Sequence, residues 1–574
     1  MMPPRLSLPS PSEVEPIIED LSPDCAHATL DSVISQAKDF IRSMESLRNA
    51  HAKISRLPRE VLSTILAMAV EPASYDSEPV PWREHVKITA VCTLWRAITL
   101  QTPGFWACIP FQPCKQLPEM IARSRAHPLS VRLHVSPPLA LWHQLAPHLP
   151  ELLNPRRLLD FHLSAEKRIY FSDLTSLTRA SLEQFPTVPT PLLRSLKIAL
   201  NITTTLPIHV LTAPKPSLRH LTLNDVEVDW TALSDSGKIQ ITSLLSLDLA
   251  RIRPAIPLPV LYELISSSPD LQSLKILLCL PTDTTSPATH EVSLDSLRSC
   301  HLQDPRLDRI LGVLQWLKAR LLMVIWKIQS AFTYHPNTPF EEADSTRVKS
   351  LLSIFGIASD STLAASLPPY RKLTFIRDPE GPFRMSFTCR HEHQESLSIT
   401  LSVQAFQTVL TALSLPKLVS LSMGLEDLDA SYHVWSYFFR RLPSLQHLRV
   451  SSDQAARLFD AALGPTPMIS KTLASPFLLQ RLALVWIKNT YYQRPKALAS
   501  SLKIRHAAGL ALQQMVIVSC RGFNQKFVEE VEDVVTRFTF DGAFCSNTED
   551  SSDGSETDRG SDSTDDDDDL DDVY

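Results

Sequence analysis

Apolar residues recur at alternating intervals of three and four residues near the amino terminus. They are Leu30, Val33, Ala37, Phe40, Met44, Leu47 and Ile54, and His51 falls at the same spacing between the last two. This spacing places them on one helix face, and no proline interrupts the stretch. The heptad period over 29–56 predicts either a coiled-coil helix for self-association or an amphipathic helix docked on the next domain. The polar His51 and the short run favour docking. Residues 1–28, rich in Pro and Ser, are predicted to be a disordered lead-in.

Two further helical patterns lie within residues 54–109. The first follows Pro58, a residue that fits the first turn of a helix because its missing N–H has no partner there. A loop with three prolines, 71–84, separates it from the second pattern, VKITAVCTLWRAITL. Pro103 and Gly104 end this second helix. A helical unit of this size has a small core, so we expect some of its apolar residues to remain available for a partner.

The stretch 54–109 resembles the F-box, in the form common in mushroom-type (basidiomycete) fungi. The matching residues are Leu57-Pro58, Glu60-Val61-Leu62, Ile65-Leu66, Val91-Cys92-x-x-Trp95-Arg96 and Pro103-x-Phe105-Trp106. The 71–84 loop is longer than in the minimal family pattern, which leaves the helix spacing open. The resemblance implies a three-helix fold that docks on the Skp-type adaptor of a cullin-RING ubiquitin ligase. It assigns adaptor contact to Leu57, Pro58, Val61, Leu62, Ile65 and Leu66, and the F-box core to Val91, Cys92, Trp95 and Trp106.

A second pattern, L-x-x-L-x-[LIVM], recurs after residue 110. Its copies begin at Leu158, Leu193, Leu218, Leu244, Leu271, Leu418, Leu445, Leu479 and Leu512, with a weaker copy at Leu294. A period of roughly 20–29 residues with this motif is the leucine-rich-repeat signature, in which each unit gives one short strand. The sequence therefore predicts an α/β fold: the helical F-box followed over 110–545 by an irregular leucine-rich-repeat solenoid, shaped as a horseshoe.

Two stretches depart from this repeat. Residues 305–350 break the register and are apolar on nearly all faces, so they are predicted to be an irregular insertion: a buried helix, a packed insertion or a gene-model artefact. Residues 371–402 alternate apolar and polar positions around Pro379-Glu380-Gly381-Pro382, which predicts strands joined by a turn.

Composition and motifs argue against enzymatic chemistry. The chain has 12 glycines and 45 prolines among 574 residues, and scarce glycine disfavours Rossmann and P-loop domains. The hydrolase, nucleotide-binding and zinc-protease motifs GxSxG, GxxxxGK[ST], GxGxxG and HExxH do not occur. Cys389, His391 and His393 alternate along one strand face, but a flat strand spaces such ligands too widely for one zinc ion. We therefore expect no cofactor, no metal and no catalytic residue.

Charge is distributed unevenly along the chain. Residues 548–574 contain 13 acidic residues and one Arg, whereas the whole chain has a net charge of −6, so the body is mildly basic. The segment 546–574 is predicted to be a disordered acidic tail. Ser555, Ser563 and Thr564 each precede an Asp by three residues and are candidate phosphorylation sites. The tail either solubilises the chain or binds a basic surface.

The nine scattered cysteines predict reduced thiols, and neither a signal peptide nor a membrane span is expected. These features favour a cytoplasmic or nuclear protein that binds neither membrane nor nucleic acid. By resemblance, its function is that of a non-catalytic substrate receptor of an SCF-type ubiquitin ligase, which binds the Skp-type adaptor, and through it cullin, by the F-box and a target protein by the repeats. The alternative is a scaffold for protein–protein interaction outside any ligase.

Overall fold

The structure is a computed structural model. It describes residues 10–19, 21–70, 82–109, 116–135, 145–165, 178–179, 181–200, 205–232, 240–282, 292–319, 325–330, 342–357, 370–377, 383–388, 395–401, 403–424, 430–451, 455–465, 477–489, 492 and 494–541. The chain divides into two compact units, Met1–Leu418 and Val419–Tyr574. Each unit is mixed α/β with mostly parallel strands, which confirms the predicted α/β class at that level.

Two helices occupy the amino terminus. Helix α1 spans Pro11–Glu19 and α2 spans Pro23–Ala50. The disorder predicted for 1–28 is therefore wrong for the helical residues among them. Pro11 and Pro23 each begin a helix, where proline costs no hydrogen bond. The high proline content of this stretch is therefore compatible with helices. Val14 in α1 is buried.

Three short helices then form a small helical unit. They are α3 (Arg59–Val70), α4 (Trp82–Ala90) and α5 (Thr93–Gln101), followed by a 3-10 turn at Pro103–Trp106 and by α6 (Leu117–Ser124). Helix α3 packs against α4, α5 and this turn. Phe105 in the turn makes an edge-to-face contact with His85, with ring centroids 5.4 Å apart. These contacts centre the small core on the 3-10 turn.

Strands and short helices alternate through the rest of the first unit. The strands are β1 (Cys108–Ile109), β2 (Leu129–Val135), β3 (Leu158–Ala165), β4 (Ser195–Ala199), β5 (Thr205–Leu206), β6 (His220–Asn224), β7 (Glu227–Val228), β8 (Ser246–Ala250), β9 (Ser273–Leu277), β10 (Val292–Leu294), β11 (Ser299–Gln303), β12 (Leu317–Ala319), β13 (Ile325–Gln329), β14 (Lys372–Arg377), β15 (Phe383–Thr388) and β16 (Glu395–Leu401). The helices are α7 (Leu149–Leu152), α8 (His209–Thr212), α9 (Leu258–Ser266), α10 (Leu307–Trp316), α11 (Glu342–Ile354) and α12 (Ala405–Ala412).

The main sheet of this unit is parallel over most of its width. Its strand order is β1-β2-β3-β4-β6-β8-β9-β11-β13-β16, all in parallel pairs. Strands β15 and β14 then continue it in antiparallel pairs, which confirms the strands predicted within 371–402; the predicted turn at Pro379–Pro382 lies outside the described residues. The pairs β5–β7 and β10–β12 form two smaller parallel sheets.

The spacing of successive strands in the structure is more regular than the spacing of the motif copies in the sequence. One buried position per strand lies in register across the sheet: Leu196, Leu221, Leu247, Leu274, Cys300 and Trp326. Successive members are 25, 26, 27, 26 and 26 residues apart. The copy predicted at Leu294 is therefore displaced by three residues, since the motif that forms β11 is Leu297-x-x-Cys300-x-Leu302.

The first half of the stretch 305–350 contains a buried helix, one of the interpretations expected for it, but it continues the repeat rather than interrupting it. Helix α10 and strand β13 form one more strand-and-helix step, because β13 pairs with β11 in unbroken parallel register. Trp326 replaces the expected leucine and is 1% exposed, with its ring 5.4 Å from that of Phe355. A motif restricted to aliphatic residues does not detect this strand.

Residues just after three consecutive sheet strands adopt the left-handed backbone conformation. Asp225, Arg251 and Leu278 have φ values of 54°, 50° and 56° and follow β6, β8 and β9. L-residues with a Cβ rarely adopt this conformation. Its recurrence at one position of the repeat shows that the exits from these three strands share this local geometry.

The second unit contains five described parallel strands and four described helices. The strands are β17 (Ser420–Gly424), β18 (His447–Ser451), β19 (Leu484–Lys488), β20 (Gln514–Val518) and β21 (Arg537–Phe540), each paired with the next. Helices α13 (Tyr432–Arg440), α14 (Ala455–Leu463), α15 (Pro495–Ala507) and α16 (Gln525–Glu532) pack in sequence order. The copy predicted at Leu479 is also displaced by three residues, because Val485 and Ile487 are the buried residues of β19.

Candidate functional site

The local sequence fixes where α3 begins. Leu57 has an extended backbone, with φ −66° and ψ 146°, as expected for a residue before proline. Pro58 follows it, and its carbonyl oxygen accepts a hydrogen bond from Leu62 N at 3.0 Å. The Leu-Pro pair therefore starts the helix and leaves its own side chains outside the small core.

The structure divides the six residues assigned to adaptor contact into two groups. Leu62 and Leu66 are 0% and 2% exposed and, with Val70, form the face of α3 that packs inward. Their assignment to a contact surface is corrected: in this structure they belong to the core of the helical unit. Leu57, Pro58, Val61 and Ile65 are exposed.

Three exposed apolar residues lie along a second face of α3. Val61, Ile65 and Met68 are spaced by four and three residues, and Leu57 precedes the helix. We call these four residues the α3 apolar row; their exposed fractions range from 37% at Leu57 to 64% at Met68. The residues assigned to adaptor contact from the sequence did not include Met68, although its helical spacing from Ile65 is visible there.

The four residues predicted to form the F-box core also differ from one another in burial. Trp106 is buried and donates a hydrogen bond from Nε1 to Thr99 O at 2.7 Å. Cys92 precedes α5, and its Sγ accepts a hydrogen bond from Trp95 N. Trp95 is half-buried. Val91 is 53% exposed, so its core assignment is corrected. It lies in the bend between α4 and α5, where its side chain is left outside the packed helices.

A cleft of about 840 Å³ lies on another side of α3. Ser63 and Ala67 of α3 line it together with His127, Arg132 and Asp160 from the region of the first strands. The α3 apolar row reaches this cleft only through Met68. The row is therefore a surface distinct from the cleft along most of its length.

The sheet face opposite the buried residues carries a second aligned set. Strand register places Arg132, His162, Lys197, Thr222, Asp248, Lys275, His301 and Lys327 side by side. We call this set the central row. Arg132 and His162 are buried, whereas Lys197 through Lys327 are half-buried or exposed. With strands about 4.8 Å apart, Lys197 and Lys327 lie roughly 24 Å from each other.

Basic residues dominate the electrostatics of the central row. Lys275 forms an ion pair with Asp248, with Nζ 2.9 Å from Oδ2. Burial lowers the pKa of His301, and the charges of Lys275 and Lys327 lower it further. Each member occupies the polar position between the last two apolar residues of the repeat motif. The sequence alone identifies that position, but the repeat motif is defined by its apolar residues and does not specify it.

Two buried thiols, Cys279 just after β9 and Cys300 in β11, are poorly suited to nucleophilic chemistry. Burial raises the pKa of Cys279 to about 12 and raises that of Cys300 as well. Both thiols therefore stay protonated near neutral pH. None of the cysteines that the structure describes forms a disulfide.

Several predicted features lie outside the described residues: Cys389, His391 and His393, and the tail with Ser555, Ser563 and Thr564. Within the described part of the chain, no cluster of His, Cys, Asp and Glu could hold a metal ion. The described helices include none with both the length and the apolar character needed to cross a membrane.

Comparison with protein-family models gives no match, and comparison with curated proteins gives none either.

Proposed function

We propose that the protein is a substrate receptor of an SCF-type cullin-RING ubiquitin ligase, with an F-box at 54–109 and a leucine-rich-repeat solenoid after it. The observation that carries the proposal is the α3 apolar row, which stays exposed on a helix whose other face forms the local core. A surface of aligned apolar side chains on a small helical unit is suited to a protein partner. We assign this surface to the Skp-type adaptor.

The burial of α3 separates residues that contact the adaptor directly from residues that hold the helix in place. Leu57, Pro58, Val61 and Ile65 contact the adaptor directly, and Met68 extends the surface. Leu62 and Leu66 act indirectly, because they hold α3 against α5 and the Pro103–Trp106 turn. The protein itself catalyses no step. It raises the effective concentration of target lysines near the conjugating enzyme of the ligase.

The target is assigned to the polar face of the sheet in the first unit. The central row offers more basic than acidic groups across several strands, so a negatively charged target segment complements it best. Opposite charges across an interface steer association and select against basic partners.

The test compares full-length proteins in affinity purification with bound proteins identified by mass spectrometry. The exposed-row variant Val61→Asp/Ile65→Asp and the variant Leu57→Ala/Pro58→Ala should each lose the adaptor and cullin. The expected cost is at least about 2 kcal/mol, as for central interface residues. Lys87→Asp is a matched control: it changes the charge by the same amount at an exposed site on α4.

Adaptor capture equal to wild type in both variants, with unchanged circular dichroism, would reject the assignment. The competing scaffold function predicts a different result: other proteins co-purify with the wild type, while cullin is absent. Cullin recovered together with the adaptor favours the ligase receptor over the scaffold.

A further inference from the structure

Helix α2 is the longest described helix, and it buries none of its side chains. It spans 28 residues, Pro23–Ala50, and contacts α1 and the 3-10 turn Lys53–Arg56. Even so, Ile34, Ile41 and Leu47 are about half exposed, at 48%, 54% and 54%. Docking on the next domain, the interpretation that the sequence favoured, would bury these residues, and the structure does not show that.

The apolar face of α2 is wider than two positions per heptad. With Leu30 at position a, the a and d positions are Leu30, Val33, Ala37, Phe40, Met44 and Leu47. Ile34 and Ile41 then occupy position e. Three apolar positions in seven are typical of a helix that packs in a core, and helices gain most of their stability from such packing. In the single chain Ile34, Ile41 and Leu47 of this face are exposed, whereas Val33, Ala37 and Phe40 are half-buried.

Most charges of α2 lie outside this face. Asp31, Lys38, Asp39, Arg42 and Glu45 occupy positions b, c and f, and Arg42 pairs with Asp39 on the outer surface; Arg48, in the last turn, is the exception at position e. The g positions within the stripe, Gln36 and Ser43, are uncharged. Two copies of the helix can therefore approach along the apolar face with no like charges opposed.

We propose that α2 forms an antiparallel homodimer with α2 of a second copy of this chain. Antiparallel pairing aligns each a residue with a d residue of the other copy, and the sequence is complementary to itself in that register. Ala37 meets Phe40, so a small side chain faces a large one. Val33 meets Met44, and Leu30 meets Leu47.

The flanking positions agree with this register. Ile34 of one copy faces Ile41 of the other, which extends the buried layer on one side. A parallel pair would instead place Phe40 opposite Phe40 and Ala37 opposite Ala37, which packs unevenly. The twofold symmetry closes the assembly at two chains. Each dimer carries two copies of the α3 apolar row and of the central row.

The experiment measures the oligomeric state of the full-length protein by sedimentation velocity over a range of concentrations. Wild type should be a dimer. Ile41→Asp/Leu47→Asp should raise the dissociation constant by about tenfold or more, because each buried apolar contact is replaced by a charge. Since both side chains are exposed in the single chain, these substitutions leave its fold intact. Ser35→Asp/Asn49→Asp, at two f positions of the same helix, is the matched control and should remain dimeric.

Cysteine cross-linking then tests the orientation in a Cys25→Ser background. Leu30→Cys/Leu47→Cys should form a disulfide-linked dimer under mild oxidation, whereas Leu30→Cys alone should not. In the antiparallel pair the two copies of residue 30 are about 26 Å apart along the helix axis. A monomeric wild type, or a dimer unaffected by Ile41→Asp/Leu47→Asp, overturns the proposal. Cross-linking by Leu30→Cys alone overturns the antiparallel register.

Discussion

Asp225 and Arg251 occupy the same position in neighbouring repeats and form an ion pair, with Arg251 Nε 2.5 Å from Asp225 Oδ1. The same guanidinium donates to Asn224 Oδ1 at 2.9 Å. Both residues have the left-handed backbone that follows the strand. The hydrogen bond to Asp225 raises the pKa of Arg251 above its usual value. The pair thus links two strand exits whose backbones are individually unfavourable.

A double-mutant cycle with Asp225→Ala and Arg251→Ala should give a coupling energy of about 0.5–1 kcal/mol, because solvent screens this partly exposed pair. The measurement is the midpoint of urea unfolding for the four proteins. Raising the salt concentration should shrink the coupling. A coupling indistinguishable from zero at low salt would mean that the pair adds nothing to stability.

Trp326→Ala should destabilise the first unit by about 3–5 kcal/mol, as for a large buried aromatic residue. The reason is its place in the core register between Cys300 and Leu397, against the ring of Phe355. Denaturant unfolding monitored by circular dichroism measures the loss. The exposed neighbour variant Lys327→Ala should stay within about 0.5 kcal/mol of wild type. Equally small losses of stability in both variants would contradict the assignment of β13, with Trp326 in the core, to the repeat.

The sequence predicted the α/β class and most strand positions because leucine spacing reports directly which residues point inward. It failed at Cys300 and Trp326, where other apolar residues occupy the leucine position. Periodicity also could not separate Leu62 from Val61, because α3 is apolar on two faces. Which face becomes core depends on how α5 and the Pro103–Trp106 turn pack, and that is tertiary information. The central row was missed because alignment across strands requires the register of the sheet.

Lys215 provides a pH-dependent test of burial in the first unit. Its side chain is fully buried, and Nζ donates to Ala213 O at 2.7 Å. Desolvation lowers its pKa to about 7. The unfolded chain, with an ordinary lysine pKa of about 10.4, then binds the proton more tightly than the folded chain does. This group therefore makes stability rise with pH between those two values.

Lys215→Met should raise the free energy of unfolding at pH 7 by roughly 2–4 kcal/mol, because no charged form has to be buried. The difference from wild type should fall towards zero near pH 10. Urea unfolding at a series of pH values measures both curves, and their difference removes the titration of all other groups. A difference that does not change with pH would show that Lys215 keeps an ordinary pKa in the folded state.

Lys275→Glu/Lys327→Glu should reduce binding of the target proteins that co-purify with the wild type by about tenfold or more, with adaptor binding unchanged. These substitutions reverse two exposed or half-buried charges of the central row. Quantitative mass spectrometry of both sets of bound proteins is the measurement. Lys87→Glu/Lys349→Glu makes the same charge change at helix positions outside the row and should leave target binding intact. Loss of targets in both double variants would point to net charge rather than to this surface.

The pairing of β13 with β16 has a consequence for the order in which the chain folds. Most strands of the sheet join a neighbour about 26 residues away, so each contact closes a short loop and structure can grow from one repeat to the next. Trp326 and Leu397, by contrast, are partners across 71 residues. Closing that longer loop costs more chain entropy, so we expect this junction to form after the repeats on its amino-terminal side. Nascent chains released before residue 401 would lack the strand that covers β13.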